Sequence, residues 1–307
     1  MDRAIRWMRR LAMAALFLGI VLHLRVHDTV PGLATVFYGL PLPVLTGGWL
    51  ALVFLGGYRC VGRALCVMLA LGCGYAWYSG SFQHHRPASI LAGQREVKVL
   101  FWNLAHWRLP HEALEKLILE QKPDIAGFVE TGLISGDPNP LVKQLPPGYQ
   151  ALKVEHGMSV IVRGGAQSVR VRKLPSTSKY VELALTVDGA VWRLFIVDGV
   201  SSPLRSREDV LKEVLAEARG HPRTFIMGDF NTPRESAWLV PWRKDFCHSF
   251  DSAGNGWSET WPRQSPVALL SIDHLWSSRD LQPLIAEKFW RAESDHAAIM
   301  GTFRVGN

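Results

Sequence analysis

Two hydrophobic patterns divide the chain near residue 82. Before it, apolar residues come in runs free of Asp, Glu, Lys and Arg: Leu11–Leu24 with 14 residues, Leu33–Tyr58 with 26 and Ala64–Phe82 with 19. A bilayer core of ~30 Å takes about 20 apolar residues as a helix, so the second and third runs are long enough to span one. The first is short, but Arg10 and Arg25 can snorkel outward and lengthen it. Pro41 and Pro43 inside the second run predict a kink, which membrane helices tolerate better than soluble ones. No small-x-small cleavage site follows Leu24, so three spans fit better than a cleaved signal peptide.

From Val97 the rhythm changes to short strands alternating with amphipathic segments. Val97–Trp102, Ile125–Val129, Ser159–Val162, Tyr180–Thr186, Val191–Val197, Thr224–Met227, Ile272–Trp276 and Ile299–Val305 read as strands. His111–Gln121 reads as a helix with Leu114, Leu117 and Ile118 on one face. Ser206–Arg219 reads as another, with Val210, Leu211, Val214 and Leu215 as its stripe and Ser206 with Asp209 as a capping pair. Residues 83–96, with His84, His85, Pro87 and Gly93, look like a linker. The expected organisation is a membrane anchor over residues 1–82 with about three transmembrane helices, a linker over 83–96, and an α/β (layered α+β) domain over 97–307.

At 48% hydrophobic and 20% charged residues, the chain lies outside the disordered, collagen-like and disulfide-stapled classes. Its net charge of +7 would by itself suggest a polyanionic partner. The distribution changes that reading. Residues 1–82 hold seven basic and two acidic residues, a net of +5, whereas residues 83–307 hold 27 and 25, a net of +2. With three spans, the N-terminus and the Arg59–Arg63 loop share one side and carry six of the seven arginines. The positive-inside rule then predicts a multi-pass protein of the cell inner membrane whose C-terminal domain lies on the periplasmic side. Cys247 is the single cysteine after the spans, so an oxidising compartment is permitted but not demanded.

The chemistry lies where the strands end. Asn103, Glu130, Asp229, Asn231, Asp273, Asp295 and His296 stand at or just beyond short apolar strands. Strand ends deliver side chains to a common rim, and carboxylates gathered there need a cation. Oxygen donors of this kind suit Mg²⁺ or Mn²⁺. A phosphoester repels hydroxide, so a cation that offsets its charge and a carboxylate that prepares water form a matched pair.

Five motifs in order sharpen this: Trp102-Asn103-Leu104, the run from Asp124 to Glu130, Phe225-Ile226-Met227-Gly228-Asp229-Phe230-Asn231, Ile272-Asp273-His274-Leu275 and Ser294-Asp295-His296. Together they resemble the endonuclease/exonuclease/phosphatase superfamily, the deoxyribonuclease I-like fold, from Val97 to about Val305. The resemblance implies a four-layer α/β/β/α sandwich and metal-assisted hydrolysis of a phosphoester by in-line water attack. By motif, Asn103, Glu130 and Asp295 would serve the metal, with Glu130 the principal carboxylate. Asp229 would orient or deprotonate the water, Asn231 would hold a phosphate oxygen, and His296, oriented by Asp273, would contact the phosphate.

One stretch departs from the pattern. Many members carry a histidine in a T-H-x-x-S-P-like segment, where this chain reads Val197-Asp198-Gly199-Val200-Ser201-Ser202-Pro203. Asp198, His106 and His156 are the candidates to replace it. Thr260-Trp261-Pro262 resembles a loop of membrane-anchored bacterial members and would either wall the cleft or pack a long loop. The expected partners are the lipid bilayer, through residues 11–82, and a phosphoester: a phospholipid, a nucleic acid or a small organic phosphate. Arg170, Arg172 and Lys173 form a candidate basic patch, set against the simpler reading of a solvated strand. No protein partner is expected. The rival function is a degenerate, non-catalytic member that binds a phosphate or a partner.

Overall fold

The computed structural model describes residues 2–86, 88, 95–105, 111–131, 145, 147–154, 156–263 and 268–306. Contacts sort the chain into two units. The first is Met1–Phe82 with Ser202–Arg205 and Glu235–Trp238; the second is Gln83–Ser201, Ser206–Arg234 and Leu239–Asn307.

The first unit is helical: α1 (Asp2–Val21) continuing through a π turn over Leu22–Val26, α2 (Leu33–Gly39), α3 (Leu42–Leu55) and α4 (Cys60–Ser81). Arg3–Val26 and Cys60–Ser81 are long and apolar enough to cross a membrane, while α2 and α3 qualify only as one pair bent by 73°. The bend falls at Pro41, whose ring fixes the backbone just before α3 and cannot donate to a continuing helix. Leu16, Leu45, Trp49, Leu52, Cys66, Ala70 and Cys73 form the core of these helices. Close approach is allowed by glycine, with Gly48 against Leu16 and Gly19 against Leu45. Outward, Leu55, Met68, Leu71 and Tyr75 are exposed along with Phe54 at 79% and Val61 at 84%, an apolar surface of a kind that soluble monomers cover.

In the second unit the chain runs β1 (Phe82–His84), β2 (Glu96–Asn103), α5 (His111–Gln121), β3 (Ile125–Val129), β4 (Tyr149–Val154), β5 (Met158–Arg163), β6 (Gly165–Lys173), β7 (Lys179–Val187) and β8 (Ala190–Asp198). It continues with α6 (Glu208–Ala218), β9 (Thr224–Asp229), α7 (Trp242–Asp245), β10 (Phe246–His248), α8 (Ser249–Ala253), β11 (Asn255–Trp257), β12 (Asp273–Ser278), β13 (Leu281–Phe289) and β14 (Ala298–Val305). Two six-stranded sheets form, in the orders β10-β12-β9-β8-β7-β6 and β13-β14-β2-β3-β5-β4. The β2/β3 and β8/β9 pairs are parallel, and α5 and α6 are the crossovers that join them. On the outer face of one sheet, Leu114, Leu117 and Ile118 of α5 pack with Leu100, Trp102 and Phe128. Val210, Leu211, Val214 and Leu215 of α6 are buried likewise, and α6 lies on β7 and β8 of the other sheet. Between the sheets, alternate residues such as Val99, Phe101, Leu183, Ile196, Phe225 and Met227 form the main core. A fully buried Phe or Leu there contributes ~1.5–3 kcal/mol. The architecture is the expected α/β/β/α sandwich.

Strands missing from the sequence reading lie mostly at sheet edges. Strand β6 (Gly165–Lys173) is largely solvated and β4 and β13 are the outer strands of the second sheet, so none needs the continuous apolar run that marks a central strand. Residues 83 and 84 of the expected linker belong to β1, which pairs with β11. The expected capping box of the second helix does not form. Helix α6 starts at Glu208, Ser206 Oγ accepts from Glu208 N at 3.1 Å, and Asp209 accepts from Val210 N and Ser176 N instead.

Candidate active site

The inward positions of the two sheets turn from apolar to polar at one end of the sandwich. In β9, Phe225 and Met227 face the core, and the next residue in that alternation is Asp229. By the same period of two, β8 reaches Asp198 after Leu194 and Ile196, β12 begins with Asp273 before Leu275, and β2 ends in Asn103 after Val99 and Phe101. Register places Asp198, Asp229 and Asp273 abreast on adjacent strands. The chain then turns sharply. Glu130, just past β3, has φ 52°, and Asn231, two residues past β9, has φ 49°. Left-handed backbone is unusual for a glutamate and marks both as held by their surroundings.

Asp229 is the centre of this rim. Its Oδ2 accepts from Asn103 Nδ2 at 2.9 Å and Asn231 Nδ2 at 3.1 Å, and its Oδ1 accepts from Asn231 N at 2.9 Å. The Asn231 amide also donates to Gly199 O at 3.0 Å. Burial raises the Asp229 carboxyl well above the usual carboxylate range, and the charges of Asp273 and Asp198 push it further than His296 pulls it back.

His296 Nδ1 meets both Asp273 oxygens, at 2.9 and 3.1 Å. Burial alone would lower the imidazolium, but the charge and hydrogen bond of Asp273, with Asp229 and Asp295 behind it, raise it to about 10. It therefore stands protonated at neutral pH. Asp295 is partly exposed, with Oδ1 3.9 Å from His296 Nε2 and Oδ2 accepting from Trp261 Nε1 at 3.0 Å. The Thr260–Pro262 segment lies beside the rim, with the Trp261 ring centre 6.4 Å from that of His296, and its backbone is also tied to Leu270. Thr260 Oγ accepts from Ile272 N and Asp273 N, and Ala297 N donates to Thr260 O, so one loop fixes two motifs.

The donor set fits a hard divalent cation. Asp229, Asp273 and His296 offer ligand atoms within 4.8 Å of one another. Because Asp273 already holds a protonated imidazole, the Asp229 oxygens are the donors of this group best suited to such an ion. Burial raises Asp229 first, and the neighbouring carboxylates of Asp273 and Asp198 add to it. A cation beside it would restore the ionised form.

The structure thus joins Asn103, Asp229, Asn231, Asp273, Asp295 and His296 in one network, with Glu130 at the adjoining strand end. Of the candidates for the absent histidine, His106 lies outside the described residues. His156 sits exposed in the β4–β5 turn, whose Gly157 O accepts from Thr131 N. Gly199 itself leaves no room. Its N donates to Asp229 O at 2.7 Å, and a Cβ there would run into the Phe230 carbonyl oxygen. In the candidate basic patch Arg170 is ion-paired with Glu182 and Glu217, the latter at 2.7 Å, and Arg172 lies 3.9 Å from Glu213, both arginines being on a largely solvated strand. Sequence reasoning missed Ser294, whose Oγ donates to Asn103 O at 2.8 Å and accepts from His296 N at 3.0 Å. It also missed Trp102, whose Nε1 donates to His296 O at 3.0 Å. The bonds to Asn103 O and His296 O are long-range, and the only sequence cue to either residue is its place in a motif, beside Asp295 for the serine and beside Asn103 for the tryptophan.

Residues 100–296 match the sequence model of the Endonuclease/Exonuclease/phosphatase family. No curated protein matches the chain in sequence. Similar solved structures include D. rerio TDP2 complexed with a single-strand DNA product, 14% identical over 68% of this chain and 98% of that one, with a TM-score of 0.52. The Bacteroides thetaiotaomicron mannosyl-6-phosphatase is 14% identical over 67% and 99%, with a TM-score of 0.53. The human Nocturnin catalytic domain with a bound sulfate anion is 17% identical over 71% and 99%, with a TM-score of 0.54. At such identities the likeness is one of fold.

Proposed function

The chain belongs to the endonuclease/exonuclease/phosphatase family, and from that membership and the polar rim we propose that it is a membrane-anchored, divalent-metal-dependent phosphoesterase. The observation that carries the reading is Asp229, a buried carboxylate held by two carboxamides beside an Asp273–His296 pair. Asn103, Glu130 and Asp295 are the residues that hold Mg²⁺ or Mn²⁺. When bound, the ion offsets negative charge on the phosphoryl oxygens. Asp229 orients the attacking water and takes its proton at a carboxylate oxygen. His296, fixed at Nδ1 by Asp273, donates from Nε2 to the charge that develops on the phosphoryl group. Asn231 gives up its bond to Asp229 to hold a phosphate oxygen.

Residues 1–82 are the anchor and residues 83–307 the catalytic domain, with residues 83 and 84 and Glu96 of the expected linker belonging to its strands. Apolar exposure along the helices supports insertion in the bilayer, and arginine placement supports a periplasmic catalytic side in the inner membrane. The DNA complex of TDP2 and the sugar phosphatase mark two substrate classes of the fold. Tethering at a bilayer and a near-neutral domain favour a lipid head group over a long polyanion.

The test is a substrate panel on the full chain in detergent micelles with Mg²⁺ or Mn²⁺: DNA, RNA, sphingomyelin, phosphatidylinositol phosphates and sugar phosphates. Hydrolysis of one class, abolished by EDTA, is expected. Equal activity in EDTA contradicts the metal role, and binding without hydrolysis of any member favours the non-catalytic reading.

A further inference from the structure

The acidic row does not stop at Asp198. Register continues from Asp273 and Asp229 through Asp198 to Lys179, the first residue of β7. Val181, Leu183 and Leu185 of β7 face the inter-sheet core, so the period of two turns Lys179 to the same end of the same face. Its Nζ lies 2.9 Å from Asp198 Oδ2, with side-chain exposures of 25% and 10%. Asp198 is close enough to raise the Asp229 carboxyl by its charge. Four residues abreast therefore read Lys⁺, Asp, Asp, Asp, and His296 on Asp273 supplies the cation at the far end.

An anion approaching Asp229 meets carboxylates on both sides and needs cations to offset them. His296 serves one flank. On the other, the segment after β8 offers no cationic side chain at its first two positions, because Gly199 is pressed against Phe230 and Val200 is apolar and buried. That segment is pinned at Val200 N by Ser178 Oγ at 3.0 Å, the residue next to Lys179. Asp198 takes one of the three N–H bonds that an ammonium can make, and the group is open enough to offer another to a ligand.

We propose that Lys179 is a phosphate-binding residue, its ammonium aimed by Asp198 so that it takes a non-bridging oxygen of the phosphoryl group in front of Asp229. The proposal rests on the phosphoesterase reading for its substrate, but it is tested by binding as well as by turnover. The alternative is that Lys179 only neutralises Asp198. In that case removing the Asp198 charge should repair the loss of the lysine.

The experiment uses the full chain in detergent micelles. Calorimetric titration with inorganic phosphate, with and without Mg²⁺, is paired with kinetics on bis(p-nitrophenyl) phosphate. Lys179→Gln should weaken phosphate binding and lower kcat/KM about ten- to hundredfold, the scale of one charge-assisted hydrogen bond. Lys179→Arg should recover most of both, and Lys179→Gln with Asp198→Asn should stay as weak as Lys179→Gln alone. Lys179→Met serves as the second variant, with the thermal midpoint as the folding control. Wild-type phosphate affinity in Lys179→Gln, recovery in the double variant, or no phosphate binding by the wild type overturns the proposal. If the wild type binds phosphate through Lys179 but hydrolyses no ester, the residue assignment stands and the phosphoesterase reading falls. If it hydrolyses esters and Lys179→Gln is unaffected, the reverse holds.

Discussion

Asp273 and His274 are neighbours on β12, yet they look into different surroundings and serve opposite ends. Asp273 faces the inter-sheet rim and holds His296 as an imidazolium raised to about 10. His274 points to the other face, where its Nε2 meets Thr232 O at 2.8 Å and its Nδ1 meets His248 Nε2 at 3.2 Å. Burial, aided by the charge of His248, lowers it to about 3, so it is neutral. The row continues through His248 Nδ1 to Asp251 at 2.7 Å and on to Arg234 Nε at 2.6 Å. One step along a strand thus separates a charged group at the reacting rim from a neutral one that braces the turn after Asn231. Residue type does not decide which role a histidine plays; the face it occupies and the carboxylate within reach do.

The comparison can be broken most easily by substitution. His296→Gln should lower the rate of phosphoester hydrolysis at least ~10²-fold while the protein stays folded, as for other electrostatic groups at developing charge. His274→Phe keeps the ring volume but leaves Thr232 O and His248 Nε2 without that partner. It should cost about 1–3 kcal/mol in denaturant unfolding and leave the rate of the folded protein within a few-fold of wild type. Similar rate losses in both variants would erase the distinction between the two faces.

A finer test is the pH dependence of stability in EDTA. His296 has its folded pKa raised, so its contribution is fully present below the unfolded value of ~6.5 and is lost as pH rises towards about 10. His274 has its folded pKa lowered, so its contribution is fully present above ~6.5 and is lost as pH falls towards about 3. Asp251 is held below the usual carboxylate range because His248, Arg234 and Arg243 outweigh its burial, and it adds to the acid loss. Asp229 titrates in both variants, so each is compared with wild type. The thermal midpoint of His274→Phe should fall less than wild type between pH 6.5 and 4, and that of His296→Gln less between pH 7 and 10. Parallel profiles would contradict the opposed charge states.

The fold was legible because the core strands advertise themselves. Phe225–Met227 and Ile125–Val129 are apolar throughout, being covered on both faces, and Leu114, Leu117 and Ile118 mark a helix period. The rim was legible because its polar residues stand at the ends of those strands within recognisable motifs. Three features were not. Edge strand β6 reads as polar because solvent takes most of its side chains. The tie from Trp261 to Asp295 joins residues 34 apart. Lys179 gains its place only through register with Asp198, since nothing in the local sequence of β7 separates it from an ordinary solvated lysine. Local pattern carries burial and period, whereas pairing across strands is a property of the assembled sheet.

The proposed mechanism rests on Asp229 as the group that prepares the attacking water, and one measurement addresses it directly: the rate of bis(p-nitrophenyl) phosphate hydrolysis by Asp229→Asn in saturating Mg²⁺, beside its thermal midpoint. The asparagine keeps the shape and removes the base. We expect a loss of at least ~10²-fold in a variant that still unfolds cooperatively, its midpoint lowered modestly because the asparagine amide faces donors from Asn103 and Asn231 that the carboxylate accepted. A rate within threefold of wild type would contradict it.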